Sequence, residues 1–481
     1  MYRKICAGVF LILITAPLLN AQFNPDSLRE RVNRIVKQYV DTNKASMVVG
    51  IIRKEGNTFL NRKYTYGHLR KDTTSPRTDS LTVYHIGSVT KTFTATLLSM
   101  LIQQGGPVRL SDLADAHIPL ATVKAPFYVS GNDTMRITIL DLATHYSALP
   151  DDPIQPVNDS TTYQMMYHYL NNHRLLRAPG ECFLYSNLGV ALLGVAVSHT
   201  YGAIIDSLFI QKISRPLGMP DTKISITAEQ ESRRATPYSV SGDPLGFFKS
   251  SWPAFYAAGG LYSTLSDFLK YLEFNMGLTQ VYPQSVLDSA HRIRRMNNDT
   301  CRQMNSKNRV GLVWQMTLLN PQTDSNFYYT WKDGGVPGTE SFICFTEDEQ
   351  KNLKTGVVMI ANQSIPNGKL AVEILRYLNE SSSSGITPVG NSSPEKFVLH
   401  AGYPNPFNPS TRIRFEVPGA ANVSLKIYDI SGKLVRTLAD GKLGAGEYEA
   451  EWNAAGYPSG VYYCRLESGS TVLSSKLVLL K

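Results

Sequence analysis

Ser88 stands three residues before Lys91 in the stretch GSVTKTF, Gly87 to Phe93. A serine hydroxyl is a poor nucleophile until a neighbouring base takes its proton. A lysine withdrawn from water loses part of its preference for the charged form and can then serve or assist as that base. The apolar spacing from Thr90 to Gln104 is helical, and Gly87 and Ser88 sit just ahead of it. This predicts Ser88 in the first turn with Lys91 one turn on, on the same face. The helix N-terminus favours the negative charge that would develop beside such a nucleophile. The chemistry implied is nucleophilic attack by the Ser88 hydroxyl. The pair is weak evidence by itself, because the same spacing recurs from Ser393 to Lys396 without anything around it that suggests chemistry.

Two further clusters gain meaning only from the family resemblance given below. Tyr185-Ser186-Asn187 precedes a helical apolar run from Leu188 to Val197, and Lys332-Asp333-Gly334-Gly335 lies in the strand-like stretch WKDGGVPGTESFICF, Trp331 to Phe345. Neither pattern is rare. Tyr-x-Asn also occurs at Tyr169, Tyr377 and Tyr403, and Lys-x-Gly at Lys54, Lys442 and, as a literal KTG, Lys354.

The elements that must position these residues can be read from periodicity. Ser46 to Arg53 and Thr58 to Tyr66 read as two strands around the turn Glu55-Gly56-Asn57. Ser341 to Thr346 and Gly356 to Ile360 are apolar strand-like runs, and Lys369 to Leu378 reads as a closing helix. Strands at both ends with helices between fit one antiparallel sheet whose ends meet in space, carrying an inserted helical region. The stretch SSSSGITPVGNSSP, Ser381 to Pro394, is rich in Ser, Gly and Pro and reads as a linker. Beyond it RIRFEV (Arg412 to Val417), VSLKIYD (Val423 to Asp429) and GVYYCRL (Gly460 to Leu466) alternate between turn residues, the pattern of a small β-sandwich. The fold class expected is therefore α+β, followed by a small all-β sandwich.

Composition narrows the function. The chain has 481 residues, 43% apolar and 18% charged, which predicts a globular protein of two or three domains. A net charge of +9 without any dense Lys/Arg run does not support a nucleic-acid partner. Arg3 and Lys4, an apolar run from Ile5 to Leu19 and small Ala21 read as a secretory signal ending at residue 21, rather than a membrane anchor. No later stretch approaches a transmembrane length, so a mature protein without a stable membrane span is expected. Cys182, Cys301, Cys344 and Cys464 remain after Cys6 leaves with the signal; four cysteines of an exported chain allow three pairings. They are scattered, HExxH is absent, and His168 and His173 are five apart, so neither a metal nor another cofactor is expected. The absence of a GxSxG elbow argues against an α/β-hydrolase.

YHIGSVTKTFTATLLSMLIQQG, Tyr84 to Gly105, resembles the nucleophile helix of the serine β-lactamase and penicillin-binding-protein superfamily, most of all its class C β-lactamase, D-Ala-D-Ala carboxypeptidase and family VIII esterase branch. ITILDLATHYSALP (Ile137 to Pro150), with Ala148 where glycine is commoner, PGECFLYSNLGVALLGVAV (Pro179 to Val197) and AAGGLYSTLSDFLKYL (Ala257 to Leu272) follow in the family's order. The resemblance covers about residues 45 to 378 and implies a β-lactamase/transpeptidase-like antiparallel sheet flanked by helices. It implies that Ser88 forms an acyl-enzyme, that Lys91 and Tyr185 share the proton handling, and that Asn187 bonds Lys91 or the substrate. Lys332 would supply positive charge to the substrate and to Tyr185, and Gly334 would lie beside it in the third motif. The N–H groups of Ser88 and Gly335 would form the oxyanion hole. The literal KTG at Lys354 is read as a loop, and His145 as a structural turn histidine. Asp333, where the family has a small hydroxyl residue, weighs against recognition of a substrate carboxylate.

YPNPFNPSTRIRFEVP (Tyr403 to Pro418), IYDISGKLVRTL (Ile427 to Leu438) and YPSGVYYCRL with the terminal KLVLLK resemble the C-terminal sorting domain of type IX secretion, over Phe397 to Lys481. That implies passage across the outer membrane, with the secretion machinery as partner. The expected organisation is a signal peptide at 1–21, a hydrolase domain at 22–380, a linker at 381–396 and a sorting sandwich at 397–481. The expected function is a secreted or surface serine hydrolase acting through an acyl-enzyme on amide or ester bonds of a small molecule or peptide. A non-catalytic ligand-binding relative is the alternative, kept open by Asp333.

Overall fold

The structure is a computed structural model. It describes residues 25, 27–37, 39–40, 46–72, 74–152, 162–246, 253–296, 309–320, 327–349, 351–379, 387–389, 394–454 and 457–480. The proposed signal peptide, Cys301 and most of the proposed linker lie outside the described residues. The chain divides into two compact units, one over Arg29–Asn379 and one that includes Glu380–Lys481.

The first unit is built on an antiparallel sheet. Its strands in chain order are β1 (Met47–Glu55), β2 (Thr58–Tyr66), β3 (Arg295–Met296), β4 (Arg309–Val310), β5 (Gln315–Leu318), β6 (Tyr328–Val336), β7 (Thr339–Asp348) and β8 (Leu353–Ala361). Their spatial order is β2-β1-β8-β7-β6-β5-β4-β3, so the first and last strands of this sheet in chain order lie side by side, paired from Met47↔Ala361 to Glu55↔Leu353. Strand β1, MVVGIIRKE, is apolar without alternation because both its faces are covered. Val48, Gly50 and Ile52 face the helix Leu265–Asn275; a Cβ on Gly50 would meet Leu269 at 2.7 Å. The helix Asn367–Leu378 packs on β7 and β8.

The inserted region centres on two helices, α1 (Thr90–Gln103) and α2 (Asn187–Tyr201), packed against each other. Helix α1 is buried from Thr90 to Leu101 on every side. Its threonines belong there because their hydroxyls bond carbonyls: Thr92 to Val89, Thr94 to Ala257 and Thr96 to Thr92. No single helix among the described residues is long and apolar enough to cross a membrane.

The unit that includes Glu380–Lys481 carries two four-stranded antiparallel sheets sharing one core. The strand Ser410–Val417 alternates buried and exposed, and Trp452 sits among Phe407, Tyr457 and Tyr462 with ring centroids 5.0–6.0 Å apart. One expectation changes here: within the linker stretch, Thr387–Pro388 pairs with Tyr448 and Glu449, because the edge strand Gly446–Asn453 offers free backbone groups there.

A second expectation fails in the first unit. Lys354 is in β8, not in a loop. Its ammonium bonds the Met276 carbonyl at 2.9 Å and lies 2.7 Å from Glu347. An apolar strand tolerates such a lysine near its start, where the head group can snorkel to an acidic neighbour.

Candidate active site

A single 3₁₀ turn, Gly87–Val89, leads into α1 and carries Ser88. The turn abuts the end of β6 so closely that two glycines are required. Gly87 has φ +49°, and a Cβ on it would stand 2.8 Å from the Gly335 nitrogen; a Cβ on Gly334 would stand 2.1 Å from the Ile86 carbonyl oxygen. Ser341 of β7 donates to that same Ile86 oxygen at 2.8 Å, tying turn and sheet together.

The second cluster is aimed by its middle residue. Ser186 caps α2, accepting from the Gly189 N–H at 2.7 Å and donating to the Pro150 carbonyl at 2.7 Å. Tyr185 and Asn187 on either side are thereby turned to Ser88 and Lys91. The segment His145–Asp151 holds the same stretch: Leu184 N–H bonds the His145 carbonyl, Asn187 N–H the Asp151 carboxylate and Leu188 N–H the Asp151 carbonyl. His145 and Ala148 both have positive φ, 61° and 60°, so the segment is sharply turned, and Ala148 adopts a conformation that glycine adopts more easily.

Five of the sequence-selected side chains converge. Lys91 has no exposed surface, and its Nζ lies 2.9 Å from Ser88 Oγ, 2.5 Å from Asn187 Oδ1 and 2.7 Å from the Ala258 carbonyl. The two carbonyl oxygens can only accept, so they take two N–H bonds. The third position of the nitrogen faces Ser88, as an N–H when the lysine is charged and as a lone pair when it is neutral. Tyr185 Oη donates to Ser88 Oγ at 2.7 Å. The Lys91 and Lys332 ammonium groups stand 5.0 and 5.2 Å from the Tyr185 ring centroid. Lys332, also without exposed surface, bonds the Asp333 carboxylate at 2.6 Å and the Asp333 carbonyl at 3.0 Å.

Electrostatics follow from this packing. Burial lowers the pKa of Lys91, and the nearby Lys332 adds to that while Tyr185 opposes it. Burial raises the Tyr185 phenol, but Lys332, Lys91 and the bonds to Lys91 and Ser88 outweigh it and bring it below its ordinary value. Burial opposes the charge on Lys332, yet Asp333 and Tyr185 together outweigh it and hold the lysine above its usual value. Both groups that touch Ser88 are thus shifted towards losing a proton, and the lysine behind them is kept charged.

His145 is buried, stacks on Tyr185 at 4.6 Å, and accepts the Ser186 N–H through Nδ1 at 3.2 Å. Burial, Lys91 and Lys332 drive its pKa well below normal, so it is neutral, and its Nε2 has no hydrogen-bond partner among the described residues. Asp151, Asp152 and the Ala258 carbonyl were not anticipated. The carboxylates follow Pro150 with no motif of their own, and a carbonyl leaves no trace in residue type. Asp152 accepts from Asn187 Nδ2 at 3.2 Å.

A cleft of about 270 Å³ opens on Ser88, walled by Asn187, Asp152, Phe255, Tyr256, Gly259 and Gly335 with their neighbours. Among the described residues no three His, Cys, Asp or Glu side chains converge in a way that could hold a metal ion. Cys182 is disulfide-bonded, while Cys344 and Cys464 are buried free thiols. The arrangement can hold a carbonyl over a serine oxygen that two proton-accepting groups touch.

Comparison with known proteins bears on the family and the fold. Residues 32–379 match the β-lactamase family model and residues 401–480 the secretion system C-terminal sorting domain. The chain is 30% identical over 232 residues to a β-lactamase of Pseudomonas fluorescens, covering 48% of this chain and 60% of that protein. It is 31% identical over 263 residues to the D-alanyl-D-alanine-carboxypeptidase/endopeptidase AmpH of Escherichia coli K12, covering 53% and 63%. The chain thus spans less than two thirds of the length of these two relatives. Among solved structures, a β-lactamase/D-alanine carboxypeptidase from Pseudomonas syringae superposes with a TM-score of 0.59 at 20% identity, over 74% of this chain and 99% of that one.

Proposed function

The chain belongs to the β-lactamase family of serine hydrolases, and from that premise we propose that it hydrolyses amide or ester bonds through an acyl-enzyme on Ser88. One observation carries the reading: Ser88 Oγ lies within hydrogen-bond reach of both Lys91 Nζ and Tyr185 Oη, at 2.9 and 2.7 Å, at the floor of an open cleft. Ser88 Oγ attacks the carbonyl carbon while its proton passes to Lys91 or Tyr185. The carbonyl electron pair moves onto oxygen, held by the N–H groups of Ser88 and Gly335, donors of a kind worth about 3 kcal/mol of barrier each. Collapse expels the alcohol or amine, which recovers the proton from the same pair. Water then repeats the sequence on acyl-Ser88 and releases the acid. Asn187 fixes Lys91, and Lys332 supplies the positive field that draws Tyr185 towards its ionised form.

The sorting-domain match indicates export by type IX secretion to the cell surface or medium. We assign a signal peptide to residues 1–21, the hydrolase to 22–380, a linker to 381–396 and the sorting sandwich to 397–481. D-alanyl peptides, β-lactams and small esters are the candidate substrates at family level; the first two carry a carboxylate beside the scissile bond, and small neutral esters do not. The test is an intact-mass spectrum after incubation with a fluorophosphonate, a neutral reagent that phosphonylates activated serines with loss of fluoride. One adduct, absent from Ser88→Ala, is expected. An adduct of the same size on the variant removes Ser88 from the mechanism.

A further inference from the structure

Three candidates stand out beyond the catalytic cluster: the hollow at Ile210–Lys223, the buried His145, and the charge balance at the end of β6. The third goes furthest. The groove beside Ser88 has two cations near it, Lys91 and Lys332, both without exposed surface. All three bonding positions of Lys91 Nζ are taken by Ser88, Asn187 and Ala258. Lys332 is paired with the very next residue, Asp333, whose side chain is 59% exposed. Among the described residues that wall the cleft there is no Lys or Arg, and there is one carboxylate, Asp152.

We propose that Asp333 is a specificity-determining residue: its carboxylate occupies the Lys332 ammonium in place of a substrate's, so the site takes neutral or ammonium-bearing esters and amides and rejects those with a carboxylate beside the scissile bond. The inference rests on the acyl-enzyme reading above and names its substrate class. An isolated ammonium attracts a carboxylate with an energy that falls as 1/r. An ammonium 2.6 Å from its own carboxylate presents only a dipole, which falls off faster and can change sign with direction. Lys332 holds the Asp333 carboxyl below its ordinary range, so the pair stays ionic at neutral pH. A substrate carboxylate reaching Lys332 must displace Asp333 or sit beside it. It then meets like charge from Asp333, from Asp152 on the cleft wall, and from Glu340, whose carboxylate lies 3.4 Å from where a Cβ on Gly335 would be. Like-charge juxtaposition is a common means of rejecting wrong partners.

The test uses the full chain and two thioesters that differ in one group. Hippuryl thioglycolate bears a free carboxylate on its thiol leaving group, and its methyl ester is neutral there; thiol release reports both. The unaltered chain is expected to favour the methyl ester by tenfold or more in kcat/KM. Asp333→Asn and Asp333→Thr both free the Lys332 ammonium and should each shrink that ratio at least tenfold. A ratio near one in the unaltered chain, or a ratio unmoved in both variants, overturns the proposal. Ser88→Ala separates the two levels of the argument. If it cleaves both thioesters as fast as the unaltered chain, the Ser88 reading falls and takes this inference with it. If it is inactive while the ratio ignores Asp333, only the specificity assignment is lost.

Discussion

Around Ser88 the hydrolase unit buries Lys91 and Lys332 completely, whereas Thr411 and Ser468 are the buried polar side chains among the described residues of the C-terminal sandwich. The sandwich core is otherwise Ile413, Phe415, Leu425, Ile427, Trp452, Cys464 and their apolar neighbours. Removing an ammonium from water costs several kcal/mol unless its bonds are replaced. The hydrolase unit replaces them with Ser88, Asn187 and a carbonyl for one lysine and with Asp333 for the other. A module that only has to fold and be recognised has no use for such groups. On the proposed reading the chemistry lies beside two buried, partnered lysines, although Arg53, Asp141 and Asp267 of the same unit are also buried and partnered.

The most direct way to break the contrast is to remove the nucleophile. Ser88→Ala should lower kcat/KM for a neutral ester by at least about a thousandfold, while the unfolding temperature changes by a few degrees at most, since the hydroxyl is not part of the core. A hydrolysis rate that survives would mean that the buried lysines serve structure alone. Next in size is Gly334→Ala. Its Cβ would lie 2.1 Å from the Ile86 oxygen and 2.5 Å from Ser341 Oγ, so turn and strand must part. A loss of about 1–3 kcal/mol in stability is expected, with activity reduced more than tenfold because Ser88 rides on the displaced turn. Full activity in this variant would show that the junction is looser than its contacts indicate.

A smaller effect tests the electrostatics. Lys332 lowers the pKa of both Tyr185 and Lys91, so whichever takes the proton, the rising limb of kcat/KM against pH lies below the ordinary range of that group. In Lys332→Met that cation is gone and the Asp333 charge is left uncompensated. Both changes favour the protonated forms, so the limb should move to higher pH and activity near neutrality should fall. A limb that stays in place would mean that the field at Ser88 is set by other groups.

Much of this could be read in the sequence, for particular reasons. The strands β1, β2, β7 and β8 and the helices α1 and α2 are strongly patterned, so their positions followed from periodicity to within four residues at each end. Ser88, Lys91, Tyr185 and Asn187 stand on or next to such elements, whereas Lys332 stands on β6, and the roles expected of all five came from the family resemblance. What escaped was of two kinds. The Ala258 carbonyl and the Ser186 cap act through backbone or local geometry, which residue identity does not encode. Lys354 was misplaced because the apolar run that marked this strand begins at Gly356, which left the lysine outside it. In the sheet its long side chain reaches Glu347 and the Met276 carbonyl, contacts that depend on neighbours distant in sequence.

The smallest effect on catalysis is expected from the largest insult to the other unit. Trp452 has 1% exposure and packs on Phe407, Tyr457 and Tyr462. Trp452→Ala should cost the sandwich about 3–5 kcal/mol, visible as an earlier unfolding transition or as proteolysis confined to residues beyond the linker. Ester hydrolysis at Ser88 should stay within about twofold of the unaltered chain, because the described hydrogen-bond partners of Ser88, Lys91 and Lys332 are residues of the hydrolase unit. A parallel fall in both quantities would mean that the units are energetically coupled, and that the site depends on a module whose core carries no charge of its own.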